Sequence, residues 1–163
     1  MVSIGLGVDA HALDPSRTLV LGGVSIPGSP GLAGHSDADV LCHAIADAVL
    51  GAARLSDLGT MFPGDERWRD ASSLDILIEA AAAVRHAGWS ISSVDATVLA
   101  EAPKLASYRA RMIAAIASAL DVEQGAVWVK ATSTDGLGFV GRGEGITALA
   151  VALVERDSAP PRK

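Results

Sequence analysis

Asp9 and His11 stand two residues apart in the segment GLGVDAHAL. In a strand that spacing points both side chains to one side. Further on, His35, Asp39, His43 and Asp47 recur every fourth residue in GHSDADVLCHAIADAVLG. On an α-helix such residues stack along one face. Polar stripes on amphipathic helices are usually solvated. Here, however, three of the four histidines precede residue 44, and two of them lie in this stretch. With His43 reaching from the helix, Asp9, His11 and His43 supply one carboxylate and two imidazoles, a donor set suited to a divalent transition metal, Zn²⁺ foremost. Three protein ligands leave a fourth position open, as in catalytic rather than structural zinc sites.

These residues need a strand and a helix to hold them. Residues 2–12 read as a first strand, with Asp14-Pro15-Ser16 as a turn and residues 17–26 as a second strand. The Gly/Pro-rich run from Gly28 to Gly34 reads as a loop leading to His35. A first helix is expected over roughly 37–54, with a capping-box-like start at Ser36 and Asp39, an apolar face through Val40, Leu41, Ala44, Ile45, Ala48 and Val49, and a stop at Gly51. Residues 55–71 have no period and read as an irregular, mobile segment, of a length that is usually either functional or disordered.

Ser72 or Ser73 caps a second helix over 73–87, which Gly88 ends. A strand over 90–100, a helix over 103–120 opened by Pro103, and strands over 126–132 and 146–155 complete the chain. The order β-β-α-α-β-α-β-β predicts an α+β fold, a single-domain mixed β-sheet covered on one face by helices. The last strand is apolar on both faces, which predicts an oligomer packed sheet to sheet. Residues 1–157 are expected to form one domain and 158–163 a disordered tail.

Half of the 163 residues are hydrophobic, enough for one substantial core. A net charge of −6 argues against nucleic-acid binding, and no apolar run suits a membrane span. The start reads as a strand rather than a signal peptide, and the single cysteine, Cys42, fits a reducing cytoplasm and a place in the core.

Other segments carry chemistry at lower specificity. Ala100 to Lys104, at the end of a strand, offers backbone N–H groups and a cation to an anion or a polar ring edge. Thr132, Ser133 and Asp135 are oxygen donors for phosphate and a second, harder metal such as Mg²⁺. The glycine-dense run from Gly136 to Gly145 lacks the strand–loop–helix context of a nucleotide loop. Arg142 and Glu144 are expected to form a buried ion pair at a subunit interface, and His86 a helix-end charge.

Together, GLGVDAHAL, GHSDADVLCHAIADAVLGAARLSDLGTMFP, EAPK and KATSTDGLGFVGRGEGI resemble the 2-C-methyl-D-erythritol 2,4-cyclodiphosphate synthase family over about residues 2–155. The resemblance implies a homotrimer with active sites between subunits. It implies closure of a cyclic diphosphate from 4-diphosphocytidyl-2-C-methyl-D-erythritol 2-phosphate, with loss of CMP. The family's zinc ligands fall on Asp9, His11 and His43, with Asp9 and His11 also touching substrate, and Mg²⁺ or Mn²⁺ is expected to bridge the substrate phosphates. His35 and Ser133 match catalytic positions that hold the phosphates; Ser36 orients substrate, with Asp39 a supporting carboxylate. Asp57, Gly59 and Phe62 match the methylerythritol segment. Ala100, Pro103, Lys104, Leu105 and Ala106, with Thr132, Ser133 and Asp135, match the cytidine and phosphate segments. Phe139 and Arg142 match positions near the trimer axis.

Two departures stand out. Thr132-Ser133-Thr134-Asp135 replaces a common Thr-Thr-Thr-Glu, and the shorter Asp135 reaches a Mg²⁺ less directly. Gly64 replaces a common Asp, so a polar contact to the erythritol is either lost or supplied by Asp65. The same residues also leave two alternatives open: a zinc phosphohydrolase that uses water, and a non-catalytic oligomer with a structural metal.

Overall fold

The computed structural model describes residues 1–156; the tail expected over 158–163 lies outside the described residues. Five strands form one mixed sheet: β1 (Val2–Leu21), β2 (Val24–Leu32), β3 (Ser90–Leu99), β4 (Val127–Thr132) and β5 (Gly145–Glu155), in the order β2-β1-β5-β3-β4. β3 and β4 are parallel; the other pairs are antiparallel. Three longer helices, α1 (Val40–Ala52), α3 (Ser73–His86) and α4 (Arg109–Leu120), pack on one side. Two single turns of helix, α2 (Leu58–Met61) and α5 (Gly138–Gly141), and two 3-10 turns lie in the connections. The major elements follow the expected α+β order.

Alternation divides the sheet into a dry and an open face. On β5, Ile146, Ala148, Ala150, Ala152 and Val154 are buried beneath the helices. On β1 the same face carries Gly5 and Gly7, and α1 lies almost directly on the strand backbone there. A Cβ added to Gly7 would sit 2.0 Å from the Ala44 carbonyl oxygen, and one on Gly5 2.0 Å from that of Ala48. α1 is held between the sheet and α3, so only Asp47 and Gly51 among its residues are not buried. The opposite face of β1 shows Val2, Ile4, Leu6 and Val8, each 54–68% exposed. Val151 on β5 and Trp128 on β4 extend this apolar surface.

Several boundaries differ from the sequence reading. The expected turn at Asp14–Ser16 is an irregularity within one continuous strand, where Asp14 accepts from the Ser16 N–H and hydroxyl at 2.9 and 2.6 Å. The chain reverses instead at Gly22-Gly23, with φ of 58° and 72°, values that glycine adopts readily and that suit a tight two-residue hairpin. β2 then continues to Leu32, through most of the expected glycine loop. Pro103 does not open a helix: residues 101–108 are turns, the Ala102–Pro103 bond is cis, and α4 begins at Arg109.

β1 and β5 also bring the described ends of the chain together. Val2 pairs with Glu155, and Met1 and Arg156 exchange backbone hydrogen bonds at 2.7 and 2.9 Å.

Candidate metal centre

The strand spacing delivers what it predicts: Asp9 and His11 both point from β1 toward α1, where His43 meets them. Asp9 Oδ2 lies 2.9 Å from His11 Nε2 and 3.0 Å from His43 Nδ1, and the two ring nitrogens are 3.2 Å apart. Ligands about 2.0 Å from a tetrahedral Zn²⁺ are about 3.3 Å from each other, so this triangle is nearly one face of such a site. The donor set fits a transition metal: the three residues could hold one ion from one side and leave the other open. His11 Nδ1 donates to the Ala33 carbonyl at 2.6 Å, which leaves the Nε2 lone pair of the neutral ring facing the triangle. Burial pushes the Asp9 carboxyl up, but its close contacts with the polar His11 and His43 rings outweigh it and hold the group well below the usual carboxylate range. For His11, burial lowers the pKa, and the Asp9 hydrogen bond and charge more than reverse that.

The helical row of four does not exist. α1 begins at Val40, and Asp39 is its N-cap, fully buried, accepting from the Leu41 and Cys42 N–H groups at 3.1 Å each. The other Asp39 oxygen accepts from Gly23 N–H at 2.6 Å, tying the hairpin to the helix start. Burial raises the Asp39 pKa despite these donors. Asp47 accepts from Leu58 N–H at 3.0 Å, anchoring the segment after α1. Cys42 is buried and free, as expected.

His35 and Ser36 lie on the loop before α1. That loop is braced by Arg17, whose guanidinium donates to the Gly34 carbonyl at 2.5 Å and to the Ser36 carbonyl. His35 Nε2 donates to the Asp65 carbonyl at 2.6 Å. Asp65 spends its own carboxylate on the Arg67 N–H, capping a 3-10 turn, so that side chain is already engaged. One cleft contains Asp9, His11, His35, Ser36 and His43, walled by Leu58, Phe62, Gly64, Trp68 and Ile76. Phe62 packs edge-on to Trp68 at 4.9 Å. Asp57 caps α2 through Thr60 N–H at 2.8 Å, and Gly59 is exposed within α2. The segment expected to be irregular thus has short structure that puts Phe62 in the cleft and Asp57 and Gly59 on its α2 shoulder.

The second expected cluster lies apart from the first on the same chain. Ala10 and Leu99 are both level with Thr147 of β5, and Thr132 is level with Leu99. At about 4.8 Å per strand, Leu99 is about 10 Å and Thr132 about 14 Å across the sheet from Ala10. Lys104 and Ala106 are exposed and Leu105 is buried, in the turns that follow β3. Leu105 and Ala106 line a separate pocket with Arg109 and Lys130. Ser133 donates to Asp135 at 3.1 Å, and Thr132 to the Ser133 carbonyl at 3.1 Å.

Glu101, given no role of its own among the residues of the EAPK segment, ties the two loops. It accepts from the Thr134 N–H and the Gly136 N–H at 2.9 and 3.3 Å, while the Thr134 hydroxyl donates to the Leu137 carbonyl at 2.7 Å. These donors lower its pKa, the Thr134 N–H foremost. Its signal was a lone acid between a strand end and Ala102-Pro103. Arg142 and Glu144 pair in a two-pronged contact at 2.7 and 3.1 Å, but within the chain both are exposed rather than buried. Phe139 is 42% exposed on α5. His86 occupies the last turn of α3, as expected.

Residues 2–155 match the YgbB family model. The 2-C-methyl-D-erythritol 2,4-cyclodiphosphate synthase of Moorella thermoacetica is 56% identical over 152 residues, 93% of each chain. The bifunctional IspDF of Campylobacter jejuni superposes with a TM-score of 0.92 at 38% identity, covering 97% of this chain and 43% of that one. IspF of Plasmodium falciparum in complex with CDP gives 0.83 at 32% identity, covering 96% of this chain and 97% of that one. Matched from residue 2 to residue 155, and sharing more than half its residues with a relative across nearly its whole length, the chain belongs to the YgbB family, that of the 2-C-methyl-D-erythritol 2,4-cyclodiphosphate synthases.

Proposed function

We propose that the chain converts 4-diphosphocytidyl-2-C-methyl-D-erythritol 2-phosphate into 2-C-methyl-D-erythritol 2,4-cyclodiphosphate and CMP, as a phosphorus–oxygen lyase of the non-mevalonate isoprenoid pathway. The observation that carries this reading is the Asp9–His11–His43 triangle, set in one cleft with His35 and Ser36, in a chain with this family's sequence throughout. The substrate's 2-phosphate attacks its own β-phosphorus and CMP leaves, so the protein needs no nucleophile. Its task is to bring two anionic groups into line; such orientation can be worth about 7–11 kcal/mol.

Asp9, His11 and His43 would hold Zn²⁺, and the oxygen donors Thr132, Ser133 and Asp135 suit Mg²⁺ or Mn²⁺ on the phosphates. When bound, these cations neutralise phosphate charge that would otherwise oppose the approach. His35, held by its bond to Asp65, and Ser133 stabilise the phosphates as charge develops, and Ser36 orients them. Asp57, Gly59 and Phe62 enclose the methylerythritol. Ala100, Pro103, Lys104, Leu105 and Ala106 receive the cytidine and its phosphates.

The catalytic unit is a homotrimer formed through the open sheet face, with active sites between subunits and Phe139 and Arg142 near the axis. The exposed row Val2, Ile4, Leu6 and Val8 supports this, being a continuous apolar strip that water would otherwise cover. Residues 1–157 make up the one synthase domain. A cytoplasmic setting agrees with the free, buried Cys42.

The test is incubation of the protein with the diphosphocytidyl substrate, Zn²⁺ and Mg²⁺, read by phosphorus NMR and CMP quantitation. Stoichiometric CMP with two coupled phosphorus signals of a cyclic diphosphate is expected. CMP with an open phosphate product would make the protein a hydrolase, and no CMP from the zinc-loaded protein would refute the assignment.

A further inference from the structure

One hydrogen-bonded chain behind His43, running through the buried Ser73 to the half-buried Asp37, has no part in the function proposed above. Ser73 is the first residue of α3 and completely buried. It does not cap the helix; its neighbour Ser72 does that, accepting from Leu74 N–H at 3.2 Å. Ser73 instead turns toward α1. Its Oγ donates to Asp37 Oδ1 and lies 3.0 Å from His43 Nε2. Asp37 is itself fixed: its Oδ2 accepts from Ser73 N–H at 3.0 Å, its Oδ1 from Asp39 N–H at 3.2 Å, and its own N–H donates to the Ala71 carbonyl at 3.0 Å.

We infer that Ser73, with its proton committed to Asp37, is a positioning residue that locks His43 in the tautomer whose Nδ1 lone pair faces the metal. A serine has one hydroxyl proton. Because the Asp37 carboxylate takes it, Ser73 offers only lone pairs to His43, and Nε2 must be the donor. A neutral ring that is protonated at Nε2 is bare at Nδ1, the atom beside Asp9 and His11. The opposite tautomer would set the Nε2 lone pair against the lone pairs of Ser73. Ser36, 3.1 Å from the same nitrogen, has an uncommitted proton and fits either tautomer, so Ser36 alone does not choose. Removing the Asp37 carboxylate would free Ser73 to donate to Nε2 and favour the ring form that cannot ligate through Nδ1. Histidine ligands are commonly oriented by such outer partners, whose loss costs about 10- to 100-fold in metal affinity.

This inference rests on the metal-centre reading, so the experiment measures zinc on the intact chain without substrate. Chelator competition would give the zinc affinity of the wild type, Ser73→Ala, Asp37→Ala and Ser72→Ala. Nitrogen-15 spectra of labelled histidine would give the His43 tautomer. We expect Ser73→Ala and Asp37→Ala to weaken zinc about 10- to 100-fold. Ser72→Ala, which loses only the α3 cap, should leave zinc affinity unchanged while lowering thermal stability. Wild-type His43 should show a protonated Nε2 and a metal-bound Nδ1, a signature readable even if a variant fails to fold. Equal weakening by Ser72→Ala and Ser73→Ala, wild-type affinity in Ser73→Ala, or ligation through His43 Nε2 would overturn the inference alone. Failure of the wild type to bind one zinc per chain would overturn the metal centre with it.

Discussion

Replacing Gly7 with alanine tests how closely the metal centre depends on the seating of α1 on β1. The added Cβ would stand 2.0 Å from the Ala44 carbonyl oxygen, 2.7 Å from the Ala48 nitrogen and 3.0 Å from the Ala44 carbonyl carbon. Ordinary contact begins near 3.4 Å, so the helix must retreat by about 1.4 Å, or the strand must bend. All three clashing atoms are backbone, so no rotamer change can relieve them. Ala44 directly follows His43, and Gly7 precedes Asp9 by two residues on the same face. The displacement therefore falls on the one edge of the donor triangle that crosses between the two elements. Metal sites tolerate only about 0.2 Å in their bond lengths. Zinc affinity should fall by at least about 100-fold, and overpacking should cost about 1–3 kcal/mol of stability.

The assay is zinc per chain by elemental analysis after chelator competition, beside a thermal melt. Gly51→Ala is the control, since a Cβ there meets nothing within 4 Å. It should bind zinc normally and gain about 0.5–1 kcal/mol from the helix position. Wild-type zinc affinity in Gly7→Ala would refute the claim that this close approach sets the triangle.

Other expectations can be checked together. His43→Ala should drop bound zinc to near zero per chain by elemental analysis while circular dichroism stays that of a folded protein. Asp39→Ala removes the α1 cap and strands the Gly23 N–H, which should cost roughly 2–4 kcal/mol by urea denaturation. Leu6→Asp, on the open sheet face, should shift the proposed trimer toward monomers in analytical ultracentrifugation at micromolar concentration. Glu101 has a folded pKa below its usual value, so its tie to Thr134 and Gly136 is intact above the ordinary carboxylate range. That contribution is lost as pH falls through the folded value, and the Thr134 and Gly136 amides should lose exchange protection there.

The metal ligands are legible in the sequence because Asp9 and His11 obey a period of two and because histidines are scarce. His35 and Asp47 fit the fourfold spacing only by coincidence. Asp39 competes with the helix for its own backbone, and a buried aspartate that accepts two N–H groups ends the helix rather than continuing it. Ser36 followed by Asp39 looks like a capping box, yet Asp39 is the cap itself. Asp14-Pro15-Ser16 has genuine turn chemistry, but β2 pairs across it and turns it into a kink. Gly22-Gly23 was the stronger hairpin signal, since two successive positive φ angles ask for glycine. Ser73 is unreadable from sequence alone, because nothing local says that the serine after the cap will face a histidine 30 residues away.

The pairing of Val2 with Glu155 also bears on how the domain can be built into larger proteins. Both described ends leave from the same end of two neighbouring inner strands, whereas Asp9 lies seven residues along β1, roughly 23 Å away at about 3.3 Å per residue. A second unit tethered to either described end would therefore start at the end of the strands away from the donor triangle. A fusion there would leave the cleft untouched, and the bifunctional relatives are longer chains of which this one covers 41–43%. The same adjacency would let the two described ends be spliced together and the chain reopened at the exposed 3-10 turn around Gly125, where a Cβ meets nothing within 4 Å.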